Sequence, residues 1–263
     1  MRLRHFLSKR CACYFLLFFF LSSTLYAERE LKVLVLVIAS DDKPVYSELQ
    51  KVWRAYMHLD PQHVEAYFIR SNPDMKAPYD IQGDVIWCKG KESVIPGVVQ
   101  KTVLSIECLE ERLHEFDYVL RTNLSSFYVF PELLTFLKSA PRLGYYSALP
   151  IIYDFGINFG SGAGFIMSPD VAKLLIKNKK DLFRSRDYDD LAIGKVFYRH
   201  GIELLPAPRV DLLSLKEWEA KKDLIPRDQF HFRVKNNNGD QRHIDDIIIH
   251  KGLLLKYYSI ELH

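Results

Sequence analysis

The sequence predicts an α/β fold in which helices flank a mixed sheet within one domain. Residues 31–39 form a near-continuous run of leucine and β-branched residues, typical of a central strand that is buried on both faces. Strand-like and helix-like patterns then alternate through the first half of the chain, as they do in doubly wound α/β sheets. The chain has 263 residues, 48% of them hydrophobic, which is enough for one domain with a sizeable core.

The first half of the chain contains short apolar runs and longer segments with apolar residues at helical spacing. The predicted strands are 31–39, 64–69, 84–88 and 117–122, and the predicted helices are 45–58, 94–113 and 131–138. Pro131 suits the first turn of its helix, because the N–H that proline lacks has no partner there. Ligands bind at the carboxyl ends of strands in such sheets, so the loop that follows residue 122 is a candidate site.

The second half is less regular. Residues 144–157 are rich in Tyr, Pro and Gly and are followed by a predicted loop at 161–165. Helices are predicted at 169–177, from Asp189 onward and at 244–258, and 223–243 is predicted to be polar loop. No internal repeat or low-complexity linker interrupts the chain, which favours a single domain over 28–263.

Residues 1–27 are predicted to be a signal peptide or a short uncleaved signal-anchor. Their basic flank consists of Arg2, Arg4, Lys9 and Arg10. The apolar run at 12–21 is shorter than a membrane span of about 20 residues, which favours the signal peptide. The sequence therefore predicts export into the lumen of the Golgi or endoplasmic reticulum or secretion, with membrane contact only through an uncleaved N-terminal segment.

Charge and cysteine content exclude some classes of function. The whole chain carries 36 basic and 33 acidic residues, and 32 and 33 remain outside residues 1–27. No block dense in Lys or Arg is left there, so no nucleic-acid partner is predicted. Cys88 and Cys108 either form one disulfide or remain two buried thiols.

The segment Ser161-Gly162-Ala163-Gly164 is the first of three candidate site motifs. Small residues let the backbone approach a ligand closely, because no large side chain stands in the way. We therefore predict a loop that lines a ligand-binding cleft.

Carboxylates and neutral polar side chains make up the other two motifs. Asp189 and Asp190 open a helix-like run, which places both carboxylates at the start of a helix. Asn123-Leu124-Ser125 follows the fourth predicted strand, where α/β sheets bind their ligands.

These motifs, in this order, resemble the GT-A glycosyltransferases of the β1,3-galactosyltransferase and fringe type, over nearly all of residues 31–235. Leu120-Arg121-Thr122 and Phe127 match the frame of that family's Asp-x-Asp loop, and Ser161 to Phe165 resemble its glycine loop. Asp189 to Gly194 match its acidic pair and the glycine that follows the pair. Phe230-His231-Phe232 resemble its late histidine segment. The resemblance implies a GT-A-like (Rossmann-like) fold. It also implies inverting transfer of a hexose from a UDP-sugar donor to a hydroxyl of a glycan or glycoprotein acceptor.

Such a transfer needs a base for the acceptor proton and positive charge for the leaving diphosphate. The resemblance implies that Asp190 is the base and that Asp189 belongs to the same catalytic pair. An acid in the first turn of a helix is the alternative interpretation of Asp190, because aspartate commonly stabilises helix starts.

The segment that would bind the donor diphosphate differs from the family's motif. Asn123 and Ser125 stand where the family has metal-binding aspartates, and neutral oxygens bind Mn²⁺ or Mg²⁺ less well than carboxylates do. The favoured interpretation is a site that requires no metal, because Arg and Lys can stabilise phosphate charge. The candidate residues are then Arg121, His231, Arg233 and Lys235.

Two alternatives to the metal-free enzyme stay open. Mn²⁺ or Mg²⁺ could bind weakly through Asn123, Ser125 and His231 together with the nucleotide. The chain could also be a non-catalytic relative that binds carbohydrate or a protein partner.

Two further groups of polar residues have both a functional and a structural interpretation. Asp41 and Asp42 follow the first strand, where they either contact uridine or ribose or start the next helix. His243, Asp246 and His250 share one helix face and could bind a metal, but an amphipathic helix is favoured. Its predicted apolar face consists of Ile244, Ile247, Ile248 and Leu254.

Overall fold

The strands in the described part of the chain form two sheets. The computed structural model describes residues 30–153, 156, 158–236 and 244–262. The strands are β1 (Val33–Ile38), β2 (Val64–Asn72), β3 (Tyr79–Gln82), β4 (Val85–Lys89), β5 (Tyr118–Asn123), β6 (Ser126–Tyr128), β7 (Tyr146–Ile152), β8 (Asn158–Met167), β9 (Leu205–Pro206), β10 (Val210–Leu212) and β11 (His231–Val234). The large sheet has the order β3-β4-β2-β1-β5-β8-β7-β9, and the small sheet has the order β10-β11-β6.

Helices connect most of the strands. They are α1 (Pro44–Tyr56), α2 (Gly97–Cys108), α3 (Phe130–Leu137), α4 (Pro169–Lys177), α5 (Lys179–Arg184), α6 (Asp189–Arg199), α7 (Leu215–Lys221) and α8 (Ile244–Tyr258), with a 3₁₀ helix at Glu110–Glu115. None of the helices in the described part of the chain combines the length and the apolar character that crossing a membrane requires.

Strand β1 is the centre of the large sheet. It pairs in parallel with β2 on one side and with β5 on the other, so that Val33 lies opposite both Val64 and Tyr118. The chain runs from β1 to β2 and later returns to β5, and α/β sheets bind their ligands at the carboxyl ends of the strands where the order reverses in this way. Asn123 ends β5 at this edge.

The two faces of β1 belong to two hydrophobic cores. Val33, Val35 and Val37 pack in a core with residues of α1, α3, α8 and the small sheet. Leu34 and Leu36 pack in the other core with residues of α2, α4 and α6. The burial of both faces explains why the sequence of β1 is continuously apolar rather than alternating. The predicted fold class, a mixed α/β sheet flanked by helices, is confirmed.

Several predicted elements need correction. The segment 161–165 is not a loop but part of β8, the 144–157 region contains β7, and the predicted loop at 223–243 contains β11. The predicted helix at 94–113 ends at Cys108 and is followed by the 3₁₀ helix. Glycine and proline suggested turns at these places, whereas cross-strand pairing with distant residues decides the structure.

Helix α8 has the predicted bounds and buries part of the predicted face. Leu254 is buried and Ile247 packs against the core, as predicted, but Ile244 is 72% exposed and Ile248 is also exposed, so these two were assigned wrongly. Asp246 and His250 are buried instead, because they bind backbone groups of other segments: Asp246 Oδ1 accepts a bond from the Asn236 N–H at 3.0 Å, and His250 Nε2 lies 3.2 Å from the Leu124 carbonyl oxygen. His243 lies outside the described residues.

The remaining predictions concern cysteines and the N-terminus. Cys88 and Cys108 are free thiols, and burial raises the pKa of Cys88 to about 12. The predicted signal segment 1–27 lies outside the described residues. The elements from β1 to α8 belong to one compact unit.

Candidate active site

An irregularity in β8 creates the candidate site. Ala148 of β7 pairs with Phe165 of β8, but the next pair is Pro150 with Gly160. Four residues of β8, Ser161–Gly164, therefore lie opposite a single residue of β7. Such a bulge frees backbone groups from the sheet, and these groups then need other partners.

The peptide groups of Gly162 find those partners in three side chains. The Gly162 N–H donates to Asp190 Oδ2 at 2.9 Å. The Gly162 carbonyl oxygen accepts from Arg121 Nη1 at 2.6 Å and from Asn123 Nδ2 at 3.0 Å. A Cβ atom at Gly162 would lie 2.8 Å from Asp190 Oδ2, so this approach requires glycine. The small residues of the predicted motif thus let side chains of β5 and α6 reach the backbone of β8.

Arg121 and Asp189 form a buried ion pair between β5 and α6. Arg121 Nη2 contacts Asp189 Oδ2, and only 1% of the arginine side chain is exposed. Burial raises the pKa of Asp189, and the Arg121 guanidinium opposes that shift. Because the charge of Arg121 is already neutralised, its predicted role in diphosphate binding does not agree with the structure.

Asp190 has a structural bond in addition to its contact with Gly162. It lies in the first turn of α6, where its Oδ1 accepts from the Leu191 N–H at 2.9 Å. This is the helix-start contact that the structural interpretation predicted. The carboxylate is half-buried, and two carboxylate oxygens offer about four acceptor positions, so the two observed bonds leave acceptor capacity. Its role as a base remains a prediction.

The Asn123–Ser125 loop is held by internal hydrogen bonds. Asn123 Oδ1 accepts from the Ser125 N–H at 3.0 Å and from the Ser125 hydroxyl at 2.8 Å. The Leu124 carbonyl oxygen is bound from behind by His250, as described above. Backbone and side chains therefore fix this loop at the carboxyl end of β5.

These contacts do not suit a metal ion. The oxygen of Asn123 is occupied by two donors, Ser125 is buried and donates its hydroxyl proton, and the buried His231 ring faces the Ser126 hydroxyl and stacks on Tyr128. In the described part of the chain, no three side chains of His, Cys, Asp or Glu are grouped so that they could hold a metal. Asn123, Ser125 and His231 therefore do not fit the predicted weak Mn²⁺ or Mg²⁺ site.

The small sheet presents a polar face beside the bulge. Asp211 of β10, Arg233 of β11 and Ser126 of β6 lie in register, and residues paired in this way share a sheet face. Val234 is buried while Arg233 and Lys235 are partly exposed, as the predicted alternation requires.

Arg209 is a charged residue of this region that sequence reasoning missed. Its Nε and Nη2 donate to Asp211 at 2.5 and 3.0 Å, and its Nη1 donates to the Ser161 hydroxyl at 2.7 Å. The alternation of polar and apolar residues from Arg209 to Leu212 is a strand signal that could have indicated it.

His231 is buried behind the bulge and does not supply positive charge. Its ring stacks on Tyr128 with centroids 4.3 Å apart, and a Cβ at Gly164 would overlap the Tyr128 hydroxyl. Burial, with the nearby charges of Arg209 and Arg233, lowers the pKa of His231 well below its ordinary value. The ring is therefore neutral at pH 7, which disagrees with its predicted role in neutralising a diphosphate.

Asp41 and Asp42 lie where they were predicted, at the carboxyl end of β1. Both are exposed, and Asp41 pairs with Arg70 of β2, whose guanidinium lies 5.0 Å from the centroid of the Trp87 ring. Helix α1 begins at Pro44, and neither aspartate caps it, because the residue at its N-cap is Lys43. Their contact with a nucleotide remains a prediction.

Comparison with known proteins supports the fold. The chain is similar to a solved glycosyltransferase involved in the glycosylation of the major capsid of PBCV-1, with a TM-score of 0.51 and 9% identity over 83% of this chain and 98% of that chain. No protein-family model matches the sequence, and no curated protein matches it. At this identity the likeness shows that the two chains share a fold.

The buried histidines lead to a prediction about pH. Burial lowers the pKa of His250 to about 3, so the unfolded chain takes up a proton below about pH 6.5 that the folded protein does not. Stability is therefore expected to fall as the pH decreases from 6.5 toward 3. His250→Gln keeps an N–H donor for Leu124 and should reduce this slope between pH 6.5 and 5 by up to about 1.4 kcal/mol per pH unit.

Urea unfolding at several pH values measures this slope. The matched control is His58→Gln, because His58 is exposed on the surface and its replacement should leave the slope unchanged. Equal slopes for His250→Gln and the wild type would contradict the account of His250.

Proposed function

We propose that the protein is a glycosyltransferase that moves a hexose from a UDP-sugar to a hydroxyl of a glycan or glycoprotein, with inversion at the anomeric carbon. The observation that carries this proposal is the carboxylate of Asp190, held by the Gly162 N–H beside the loop that ends β5. That edge of an α/β sheet is where ligands bind, and the fold is shared with a solved glycosyltransferase.

The chemical step requires one base and a stabilised leaving group. The acceptor oxygen forms a bond to the anomeric carbon while the bond from that carbon to the diphosphate oxygen breaks. Asp190 takes the proton of the acceptor hydroxyl, and UDP leaves with the bonding electron pair. A single base and direct displacement invert the configuration of the sugar.

Cationic side chains of the small sheet would stabilise the leaving diphosphate. Arg233 and Lys235 are partly exposed and are the candidates to meet the diphosphate, whereas the Arg209 side chain is buried and its charge is balanced by Asp211. The sheet face of Arg233 adjoins the bulge through Ser126, whose hydroxyl donates to the Ala163 carbonyl oxygen at 2.6 Å, and Arg209 donates to the Ser161 hydroxyl. Because Asn123 and Ser125 do not fit a metal ion, we propose that these cations replace it and that no metal is required.

Other predicted residues have secondary places in this proposal. Asp41 and Asp42, at the carboxyl end of β1, would contact the uridine or ribose of the donor. The bulge from Ser161 to Gly164 would border the acceptor sugar. The likeness to the β1,3-galactosyltransferase and fringe type supports UDP as the nucleotide.

The location of the enzyme is proposed from the N-terminal sequence. Residues 1–27 would direct residues 28–263, the GT-A-like domain, into the lumen of the secretory pathway. Donor sugars and glycoprotein acceptors would meet there.

A second candidate function is supported by the Asn123–Ser125 loop. Its polar groups are bonded to one another rather than arranged around a diphosphate-bound metal. A non-catalytic relative that binds carbohydrate or a protein partner through the same crevice would show this arrangement as well.

Replacement of Asp190 separates the two functions. Asp190→Asn should reduce transfer by about 10²–10⁴-fold, the usual contribution of a general base. An amide has only one oxygen for the Gly162 and Leu191 N–H groups, so a stability loss of about 1 kcal/mol should accompany it. Release of UDP in the presence of acceptor and the melting temperature are measured together.

The matched control is Asp187→Asn. This carboxylate lies in the same segment but pairs with Lys195 at 2.7 Å, so its loss should leave the transfer rate near that of the wild type. A wild-type rate in Asp190→Asn would remove Asp190 as the base.

Metal removal tests the proposed charge compensation. UDP binding is expected to be equally strong in EDTA and in added Mn²⁺, because cations of the protein meet the diphosphate. Titration calorimetry gives both dissociation constants. If Mn²⁺ strengthens the binding of UDP a hundredfold or more, about 3 kcal/mol, then a metal rather than the protein's cations neutralises the diphosphate.

Removal of the cations should weaken the binding of UDP. Arg233→Ala and Lys235→Ala are each expected to cost about 1.5–3 kcal/mol in the same titration, the usual contribution of a charged hydrogen bond. The control is Lys216→Ala, which removes an exposed lysine of α7. If both test variants bind UDP as tightly as this control, the small sheet is not the diphosphate site.

A further inference from the structure

Arg121 connects two features of the candidate site. Its Nη1 binds the carbonyl oxygen of Gly162, and its Nη2 contacts Asp189. The N–H of the same glycine is bound by Asp190, the neighbour of Asp189. One guanidinium therefore holds the strand residue and the helix start that together define the position of Asp190.

The surroundings of the acidic pair contain little other positive charge. Arg121 from β5 contacts it, the Tyr146 hydroxyl from β7 lies near it, and the bulge of β8 contributes backbone groups. Arg209 reaches Ser161 of the bulge, but its charge is paired with Asp211. Burial, and then proximity to Asp190 and Asp189, raise the pKa of Tyr146, so this neutral phenol cannot balance them. Two adjacent carboxylates repel each other, and burial increases the cost of charging both.

The position of Arg121 indicates that its charge matters there. Its Nε is buried without a hydrogen-bond partner among the described residues, which costs stability. Its guanidinium also lies 5.2 Å from the centroid of the Phe165 ring, which offers only a weak compensation. A side chain that served packing alone would not place a buried cation and an unpaired N–H between β5 and α6.

We propose that Arg121 is a positioning residue for the base: it neutralises Asp189 across β5 and α6, so that Asp190 has no cationic partner among the described residues and its carboxylate is held against the Gly162 N–H. This inference rests on the proposed function, because Asp190 is the base only if the protein transfers sugars. The ion pair itself can be tested without any activity.

The first arm of the test measures stability as a function of pH in the variants Arg121→Met, Arg121→Lys and Arg121→Met with Asp189→Asn. Arg121 opposes the rise in the pKa of Asp189, so its removal should raise that pKa further. An acid whose folded pKa exceeds its unfolded value loses stability as the pH rises through this window.

The melting temperature of Arg121→Met should therefore fall more at pH 7.5 than at pH 5, by about 5 °C or more. Adding Asp189→Asn removes the unpaired carboxylate and should restore most of this difference, and Arg121→Lys should restore part of it. If Arg121→Met folds only with Asp189→Asn present, that is the same rescue in a stronger form. A loss that is equal at both pH values, or a double variant that is no better than the single one, would overturn the proposal.

The second arm measures transfer by the same proteins. Arg121→Met should lower kcat/KM about a hundredfold and move the acid limb of its pH profile upward, mostly through kcat. The double variant should regain at least tenfold and return the limb toward that of the wild type. If the ion-pair arm succeeds while the wild type transfers no sugar, the proposed function fails and the role of Arg121 as a charge partner stands. If the wild type transfers sugar but the acid limb does not move, the positioning role fails by itself.

Discussion

The candidate site depends on the backbone of Gly162. Its N–H is bound by Asp190 of α6, and its carbonyl oxygen is bound by Arg121 and Asn123 of β5. The bulge in β8 makes both groups available, because the sheet does not use them. The start of α6, the end of β5 and strand β8 are thus held together by three side chains that bind the backbone of Gly162. A Cβ atom at this position would collide with Asp190, so the site needs a glycine.

Electrostatics divides the site into two parts. On the α6 side, Arg121 neutralises Asp189, and Asp190 is the carboxylate that we propose to act on a substrate hydroxyl. On the small-sheet side, Arg209 and Arg233 outnumber Asp211, and the buried His231 adds no charge. A negative group for the acceptor proton and a positive region for the diphosphate are the two requirements of sugar transfer from a nucleotide donor.

The sequence predicted elements whose signals are local. The apolar run of β1 and the bounds of α8 were predicted from periodicity, and Asp189 and Asp190 from their position before an apolar run. The bulge, the burial of Asp246 and His250 on α8 and the role of Arg209 were not predicted. Each depends on a bond between distant residues, such as Arg209 to Ser161 or His250 to Leu124, which local patterns do not contain. The burial of Arg121 and His231 likewise changed their expected roles.

The most direct test of the account is the stereochemistry of a product. The wild-type protein would be incubated with UDP-α-hexoses and glycan acceptors, and the new linkage would be assigned by proton NMR. One base at Asp190 and direct displacement predict a β-linked product, formed equally well in EDTA. An α-linked product would contradict the single-displacement mechanism, and the absence of product from every donor, with glycan binding intact, would identify the protein as a non-catalytic carbohydrate-binding relative.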